Sequence, residues 1–173
     1  MANIVLIGFM GTGKTSVGKK LSEILGYPMV DVDELIEQEL RMSIPEIFKR
    51  FGERFFRDVE AEMIKKVSQL DRHIIATGGG SVLREENWAN LRRNGVIFCL
   101  NATPEEIWRR VSGFSHRPLL NVPDPMGAIR ELLRIRAPYY AKADHQIDTT
   151  GKSIDQVVEE ILEILEALKG CAR

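Results

Sequence analysis

Short, continuously apolar runs alternate along the chain with longer segments in which apolar residues recur every three or four positions. Such runs are typical of strands buried on both faces, and the longer segments are typical of amphipathic helices. Five runs are predicted to be strands: 4–8, 28–32, 73–77, 95–100 and 145–148. The segments predicted to be helices are 14–25, 53–70, 84–93, 104–111, 124–136 and, after an N-cap at Ser153, 154–168.

This alternation predicts an α/β fold in which a five-stranded parallel sheet carries helices on both faces. We find no repeat, no low-complexity tract and no linker, so residues 1–173 are expected to form a single domain. In such folds ligands bind beyond the carboxyl ends of the strands. The residues that follow each predicted strand are therefore the candidates for function.

The segment after the first predicted strand reads GFMGTGKTS, residues 8–16, and fits the phosphate-binding loop (P-loop) template G-x-x-x-x-G-K-[ST]. Its glycines let successive N–H groups face anionic oxygens, and the following helix adds the positive end of its dipole. Lys14 is expected to reach the β- and γ-phosphates of a nucleotide, and Thr15 to ligate Mg²⁺. The alternative, a glycine-rich turn with a solvated lysine, fits the flanking strand and helix poorly. The predicted nucleotide-binding residues are Gly11, Thr12, Gly13, Lys14, Thr15 and Ser16.

Two carboxylates, Asp31 and Asp33, follow the second predicted strand. Strand alternation would place both on one side of the chain, at the edge where the P-loop opens. One could support Mg²⁺ through a water molecule, and the other could accept a proton from a substrate hydroxyl. The alternative makes Asp33 the N-cap of a helix over 34–40 and leaves Asp31 solvated.

Two further motifs could contact a substrate. Arg57 and Glu60 stand three residues apart in a predicted helix, so Glu60 can hold the guanidinium and leave part of its fork free. The alternative is a surface ion pair of little energetic value. At the mouth of the third predicted strand, Gly78, Gly79 and Gly80 would let a ligand approach the backbone closely, unless they only form a turn.

An irregular segment, SGFSHRPLLNVPD, spans residues 112–124 between two predicted helices and is predicted to be a mobile lid. Arg117 at its centre could neutralise charge on a transferring phosphoryl group. His116 is interpreted as a solvated neighbour. Of the arginines on the helix that follows, Arg136 is the one expected at the site, because it is nearest to the RAPYY end.

Composition narrows the function further. The net charge of −1 gives no electrostatic footprint for nucleic acid or a membrane surface. The start of the chain does not resemble a signal peptide, and no apolar run is long enough to span a bilayer. Cys99 in an apolar run and Cys171 near the end suggest a reducing compartment without disulfides. We therefore expect a cytoplasmic protein with no nucleic-acid or membrane partner, most simply a monomer.

The motifs GFMGTGKTS, DVD, FRDVE, TGGG, RPLL and RIRAPYYAKAD, in this order, resemble those of the shikimate kinase family, small P-loop kinases similar to nucleoside monophosphate kinases. The resemblance covers essentially the whole chain. It implies transfer of the γ-phosphate of ATP to the 3-hydroxyl of shikimate, with Mg²⁺, by a P-loop kinase with a lid and a substrate-binding helical region at about 33–62.

The resemblance also implies roles for individual residues. Thr15 would ligate Mg²⁺ with support from Asp31, and Asp33 would bind the shikimate hydroxyls and act as the base. The implied substrate-binding residues are Asp33, Arg57, Gly78, Gly79, Gly80 and Arg136, with Glu60 orienting Arg57. Arg117 would reach the nucleotide phosphates from the lid. Lys152 stands where many relatives carry an arginine over the adenine, and a lysine stacks less well there.

Three other functions remain open at this point. A kinase of the same fold could act on another acidic polyol such as gluconate, or on a nucleotide as adenylate kinase does. A GTPase-like switch would need a D-x-x-G motif, but DPMG (124–127) and DTTG (148–151) are misplaced and no N-K-x-D motif exists. A catalytically inactive relative is disfavoured by the intact Lys14, Asp33, Arg57 and Arg117.

Overall fold

The structure, a computed structural model, describes residues 2–112 and 122–171. Its strands are β1 (Asn3–Gly8), β2 (Met29–Asp31), β3 (Ile74–Ala76), β4 (Gly95–Asn101) and β5 (His145–Asp148). They form one parallel sheet in the order β2-β3-β1-β4-β5. The predicted five-stranded parallel sheet is confirmed, and β1 lies at its centre.

Seven helices pack against this sheet in the described part of the chain. They are α1 (Lys14–Leu25), α2 (Val32–Leu40), α3 (Ile44–Val67), α4 (Glu85–Arg93), α5 (Pro104–Val111), α6 (Pro125–Tyr140) and α7 (Ile154–Cys171), with a short 3₁₀ helix at Ser81–Leu83. None of these helices is long and apolar enough to cross a membrane.

Every residue of β1 is buried, because helices cover both faces of the sheet. Val5 and Ile7 point to the face covered by α2 to α6, whereas Ile4 and Leu6 point to the face covered by α1 and α7. Side chains alternate along a strand, so a strand buried on both sides must be apolar at every position. The continuous apolar run that predicted β1 is the direct consequence.

The backbone conformation predicted for the Asp31–Asp33 segment was wrong. The strand β2 ends at Asp31, and Asp31 is itself the N-cap of α2, with its Oδ1 accepting the Glu34 N–H at 3.1 Å. Asp33 lies in the first turn of the helix. The two carboxylates are therefore not alternate residues of one strand, and the capping residue is Asp31 rather than Asp33. Acidic residues are favourable at both positions, because the cap and the first turn lie at the positive end of the helix dipole.

Helix boundaries differ from the prediction at α3 and α6. The helix α3 begins at Ile44, after an N-cap at Ser43, and continues through a kink at Gly52, where φ is 85°. That glycine interrupts the helical pattern, so the turns before it were not predicted. The helix α6 runs on to Tyr140 despite Pro138 in its last turn. A proline removes one backbone hydrogen bond, but packing of the helix end can compensate for that loss.

Candidate active site

The P-loop connects the end of β1 to the start of α1. Gly8, Gly11 and Gly13 all have positive φ, and Gly13 precedes the first residue of the helix. A Cβ on Gly8 would lie 2.4 Å from the Leu100 carbonyl oxygen of β4, so the sharp exit from the sheet requires glycine. The loop therefore opens directly onto the N-terminus of α1, where backbone N–H groups and the helix dipole favour an anion.

Two side chains of the loop make internal contacts. Lys14 Nζ donates to the carbonyl oxygens of Gly8 at 2.5 Å and Phe9 at 3.0 Å. The Thr12 hydroxyl donates to the Phe9 carbonyl at 2.7 Å and is buried. The Thr12 side chain therefore stabilises the conformation of the loop.

A cavity of about 430 Å³ opens beside the P-loop at the carboxyl ends of the strands. It brings together the predicted residues from five separate segments of the sequence. They are Gly11, Gly13, Lys14, Thr15 and Ser16 of the loop, Asp31, Asp33, Arg57 with Glu60, Gly78 with Gly79 and Gly80, and Arg136. Of the predicted site residues that the structure describes, only Thr12 and Lys152 lie outside this cavity.

The three glycines after β3 provide space for charged side chains. None of them has a positive φ, so no turn conformation demands glycine at these positions. A Cβ would lie 2.8 Å from Asp33 Oδ1 at Gly78, 2.9 Å from Arg136 Nη1 at Gly79, and 2.1 Å from Arg57 Nη2 at Gly80. Because each glycine lacks a Cβ, one of the charged groups can lie directly against its backbone.

The pair formed by Arg57 and Glu60 is internal to the protein. The Glu60 side chain is fully buried, and its Oε1 accepts from Arg57 Nη1 at 3.0 Å. Burial raises the pKa of Glu60 to about 7, although the charge and hydrogen bond of Arg57 oppose that rise. Arg57 also lies over the Phe56 ring, with 5.2 Å from Cζ to the centroid. The guanidinium is thus oriented by several contacts and faces the cavity.

Asp33 has the environment of a proton acceptor. Its Oδ1 atom is buried and accepts no hydrogen bond from the described residues. Burial raises the pKa of Asp33 to about 6, with a smaller contribution from the charge of Asp31, while Lys14 and Arg57 act in the opposite direction. A carboxylate with such a pKa is still ionised at neutral pH and is more basic than an exposed one.

A second cavity of about 600 Å³ lies on the other side of the P-loop, and Thr12 and Lys152 line it. The side chain of Lys152 is engaged by Glu160, with 2.9 Å between Nζ and Oε2. Arg109 and Arg110 also line this cavity, and Arg110, which the sequence did not indicate, contacts the P-loop. It donates to the Gly11 carbonyl at 3.0 Å and to the Thr149 carbonyl at 2.9 Å.

Several other contributors to the site were also missed. Phe48 and Phe56 line the main cavity with their rings 4.9 Å apart between centroids. Neither residue was among the predicted site residues, and Phe48 precedes the helix predicted over 53–70. Tyr140, at the end of α6, donates from its hydroxyl to the Gly79 carbonyl at 2.8 Å. Arg117, His116 and most of the predicted lid lie outside the described residues.

Three side chains with oxygen atoms that could hold Mg²⁺ line the main cavity. Thr15, Asp31 and Asp33 line the same cavity, and the described residues contain no cluster of three His, Cys, Asp or Glu side chains that could hold a metal. Mg²⁺ bound to a nucleotide uses one or two protein carboxylates, phosphate oxygens and water. The Thr15 hydroxyl and the Asp31 carboxylate are the groups that would hold it.

A P-loop on a parallel sheet, facing a buried carboxylate and two arginines, defines a P-loop kinase of small molecules. A family model described as shikimate kinase matches residues 10–166. A shikimate kinase from Thermodesulfovibrio yellowstonii is 54% identical over 168 residues, 97% of each chain. One from Caldanaerobacter subterraneus subsp. tengcongensis is 50% identical over 98% of this chain and 99% of its own. The chain therefore belongs to the shikimate kinase family.

A solved structure supports the same assignment. A shikimate kinase from Acinetobacter baumannii, in complex with shikimate, superposes with a TM-score of 0.93 at 34% identity, covering 98% of this chain and 95% of the other. The resemblance based on the motifs is thereby confirmed at the level of family and fold.

The raised pKa of Asp33 predicts a pH-dependent gain in stability for Asp33→Asn. An acid whose pKa is raised on folding stabilises the folded state below its unfolded pKa, and this contribution is lost as the pH rises through the folded pKa. For a rise from 3.8 to about 6, the ionised form costs up to about 3 kcal/mol. Asp33→Asn removes that cost, so its Tm should exceed that of the wild type by several degrees at pH 8.

The difference in Tm should shrink as the pH is lowered towards 4, where Asp33 is protonated in the folded state. Thermal unfolding followed by circular dichroism at pH 4, 6 and 8 measures it. Glu39→Gln is the matched control, because it removes an exposed carboxylate from the same helix. An equal Tm for Asp33→Asn and wild type at pH 8 would contradict the burial cost assigned to Asp33.

Proposed function

We propose that this chain is a shikimate kinase, which transfers the γ-phosphoryl group of ATP to the 3-hydroxyl of shikimate and releases ADP and shikimate 3-phosphate. The observation that carries the proposal is the single cavity in which Lys14 of the P-loop, the Asp33 carboxylate and the Arg57 guanidinium meet. Membership of the family supports the assignment of the substrate.

The cavity has the polarity that shikimate requires. Shikimate is a six-membered ring with a carboxylate at one end and hydroxyls at the other. Arg57 and Arg136 supply cationic forks for the carboxylate, and Asp33 supplies an acceptor for a hydroxyl. Phe48 and Phe56 supply an apolar wall for the ring. In this proposal, the Gly78–Gly80 backbone lies against the substrate.

ATP is proposed to span the two cavities across the P-loop. Its phosphates take the main cavity and replace the Gly8 and Phe9 carbonyls as partners of Lys14. Its base takes the second cavity, where Arg110 and Lys152 lie. Thr15, with Asp31 through water, would hold Mg²⁺, which would supply positive charge beside the phosphates. Arg117 is proposed to approach the same phosphates from the lid.

The chemical step needs few groups from the protein. Asp33 orients the attacking hydroxyl and accepts its proton while the new oxygen–phosphorus bond forms and the bond to the β-phosphate oxygen breaks. Because phosphoryl transfer runs through a loose transition state, part of the contribution of Asp33 is positioning. Lys14 stabilises the charge that develops on the transferred group and on the leaving phosphate.

We also propose that the chain acts as a single-domain monomer in the cytoplasm. Cys99 is buried and Cys171 exposed, and both are free thiols, the state that a reducing compartment maintains.

The test of the function is a coupled ADP-release assay with Mg-ATP against shikimate, quinate, gluconate and AMP. We expect turnover that depends on added shikimate, with phosphate on the 3-hydroxyl of the product by NMR. Lys14→Ala is the control and should keep less than a tenth of the wild-type kcat, because it removes the cation proposed to contact the β- and γ-phosphates. Its Tm, measured in parallel, separates this loss from any effect of the lost hydrogen bonds to the Gly8 and Phe9 carbonyls. If turnover were faster with gluconate or AMP than with shikimate, that compound would be the acceptor instead.

Substitutions of Asp31 and Asp33 should change different kinetic properties. Asp33→Asn keeps the size of the side chain but removes the proton acceptor, so kcat should fall by about 10²-fold or more. Asp31→Asn keeps the N-cap of α2, because asparagine caps as well as aspartate, but removes a charge near the metal. It should therefore raise the Mg²⁺ concentration required for half-maximal activity.

Steady-state kinetics at varied Mg²⁺ and varied shikimate distinguish these outcomes. In the wild type, kcat/KM should fall as the pH is lowered through about 6, where Asp33 becomes protonated. If Asp33→Asn mainly changed the Mg²⁺ requirement while Asp31→Asn mainly changed KM for shikimate, the two roles would be reversed.

Arg57→Lys tests the carboxylate end of the cavity. Lysine keeps the charge but loses the planar fork and the fixed contact with Glu60, so KM for shikimate should rise by about 10-fold or more while KM for ATP stays within about twofold. Arg54→Lys, an exposed position on the same helix, is the matched control. A rise in KM for ATP with no change for shikimate would place Arg57 at the nucleotide instead.

A further inference from the structure

Tyr140 connects the end of α6 to the substrate side of the sheet. Its side chain is only 5% exposed, and its hydroxyl donates to the Gly79 carbonyl at 2.8 Å, although the two residues are 61 positions apart. Burial raises the pKa of Tyr140 to about 12, so the hydroxyl stays protonated and remains a donor. None of the roles assigned above uses this contact.

The hydrogen bond fixes the orientation of the glycine segment. In a trans peptide the C=O group and the following N–H point in opposite directions, so a fixed Gly79 carbonyl also fixes the Gly80 N–H. The carbonyl before it is fixed from another side, because the Ser81 hydroxyl donates to the Gly78 carbonyl at 2.8 Å. Both carbonyls are therefore held by buried protein donors, which removes the conformational freedom that glycines otherwise have.

The same tyrosine lies beside Arg136, one helical turn earlier on α6. A Cβ on Gly79 would lie 2.9 Å from Arg136 Nη1 and 3.5 Å from the Tyr140 hydroxyl oxygen, so both side chains flank this glycine. The helix α6 therefore meets Gly79 at two residues. Tyr140 donates a hydrogen bond to the Gly79 carbonyl, and Arg136 approaches the glycine closely with Nη1.

The backbone of Tyr140 is also held in place. Gln146 of β5 donates from Nε2 to the Tyr140 carbonyl at 2.8 Å. This bond fixes the last turn of α6, which Pro138 deprives of one internal hydrogen bond. Tyr140 is therefore attached to the sheet through its backbone and to the glycine segment through its side chain.

We infer that Tyr140 is a positioning residue that sets the distance between the Gly78–Gly80 backbone and Arg136, and with it the width of the carboxylate end of the substrate cavity. This inference rests on the proposed function. Tyr140 is not among the residues that line the main cavity, so it would act through Gly79 and Arg136. Its effect should therefore fall on binding of the acid substrate rather than on the chemical step.

Tyr140→Phe tests this role because it removes the hydroxyl and leaves the ring. Loss of one buried hydrogen bond should raise KM for shikimate by about 5- to 10-fold. The change in kcat should stay within about threefold, and KM for ATP should not change. Tyr139→Phe, which removes a hydroxyl from the adjacent residue, is the matched control and should match the wild type in all three constants.

A double-mutant cycle with Arg136→Lys separates positioning from general loosening. If Tyr140 acts through Arg136, the rise in KM for the double variant should be smaller than the product of the two single effects. Tm measured on every variant reports any loss of folding. An unchanged KM for shikimate in Tyr140→Phe, an equal rise in KM for shikimate and for ATP, or fully multiplicative effects in the double variant would each overturn the inference. Absence of shikimate turnover in the wild type would overturn the proposed function instead.

Discussion

The organisation of the site depends on one steric constraint, the close approach of three charged side chains to the bare backbone of Gly78–Gly80. Asp33 comes from α2, Arg57 from α3 and Arg136 from α6, and each occupies space that a Cβ on one glycine would exclude. These helices converge there because β3 lies between β2 and β1, so the segment after β3 lies between Asp31 at the end of β2 and the P-loop after β1. The order of the strands thus determines where the three side chains meet, and the absence of a Cβ at the glycines leaves room for them.

The nearby cations compensate the buried carboxylates of this site only in part. Burial raises the pKa values of both Asp33 and Glu60, even though Arg57 favours the ionised form of each. Removing either partner of a buried ion pair leaves an uncompensated charge, so these residues depend on one another. Such a cluster is poor for stability and good for recognition, because a polar ligand completes interactions that the protein leaves open.

Local patterns predicted the sheet and the P-loop well. Continuous apolar runs such as that of β1 follow from burial on two faces, and the P-loop template lies within nine consecutive residues. At Asp31 the local pattern failed, because an acidic residue after a strand can either continue the strand or cap a helix. At Gly52 it failed because a single glycine hides the continuity of α3. Arg136 was indicated by its place at the RAPYY end of the predicted helix and then by the resemblance to a family.

Residues that act across the fold were beyond local patterns. Arg110 contacts the Gly11 carbonyl 99 positions away, yet within α5 it forms an ordinary pair with Glu106. Tyr140 lies beyond the predicted end of the helix at residue 136, and only the tertiary structure brings its hydroxyl to Gly79. Such contacts depend on how helices pack on the sheet, which the sequence near each residue does not specify.

The unpaired Oδ1 atom of Asp33 has a consequence for the lifetime of the protein in the cell. A ligand hydroxyl that donates to this atom removes an unfavourable feature of the folded state and binds only that state. Saturation at about 100 times Kd would add about 2.7 kcal/mol to the free energy of unfolding. The supply of metabolites would then govern degradation as well as turnover, since proteolysis follows the population of open forms. Cells depleted of the substrate would lose the enzyme faster than cells that contain it.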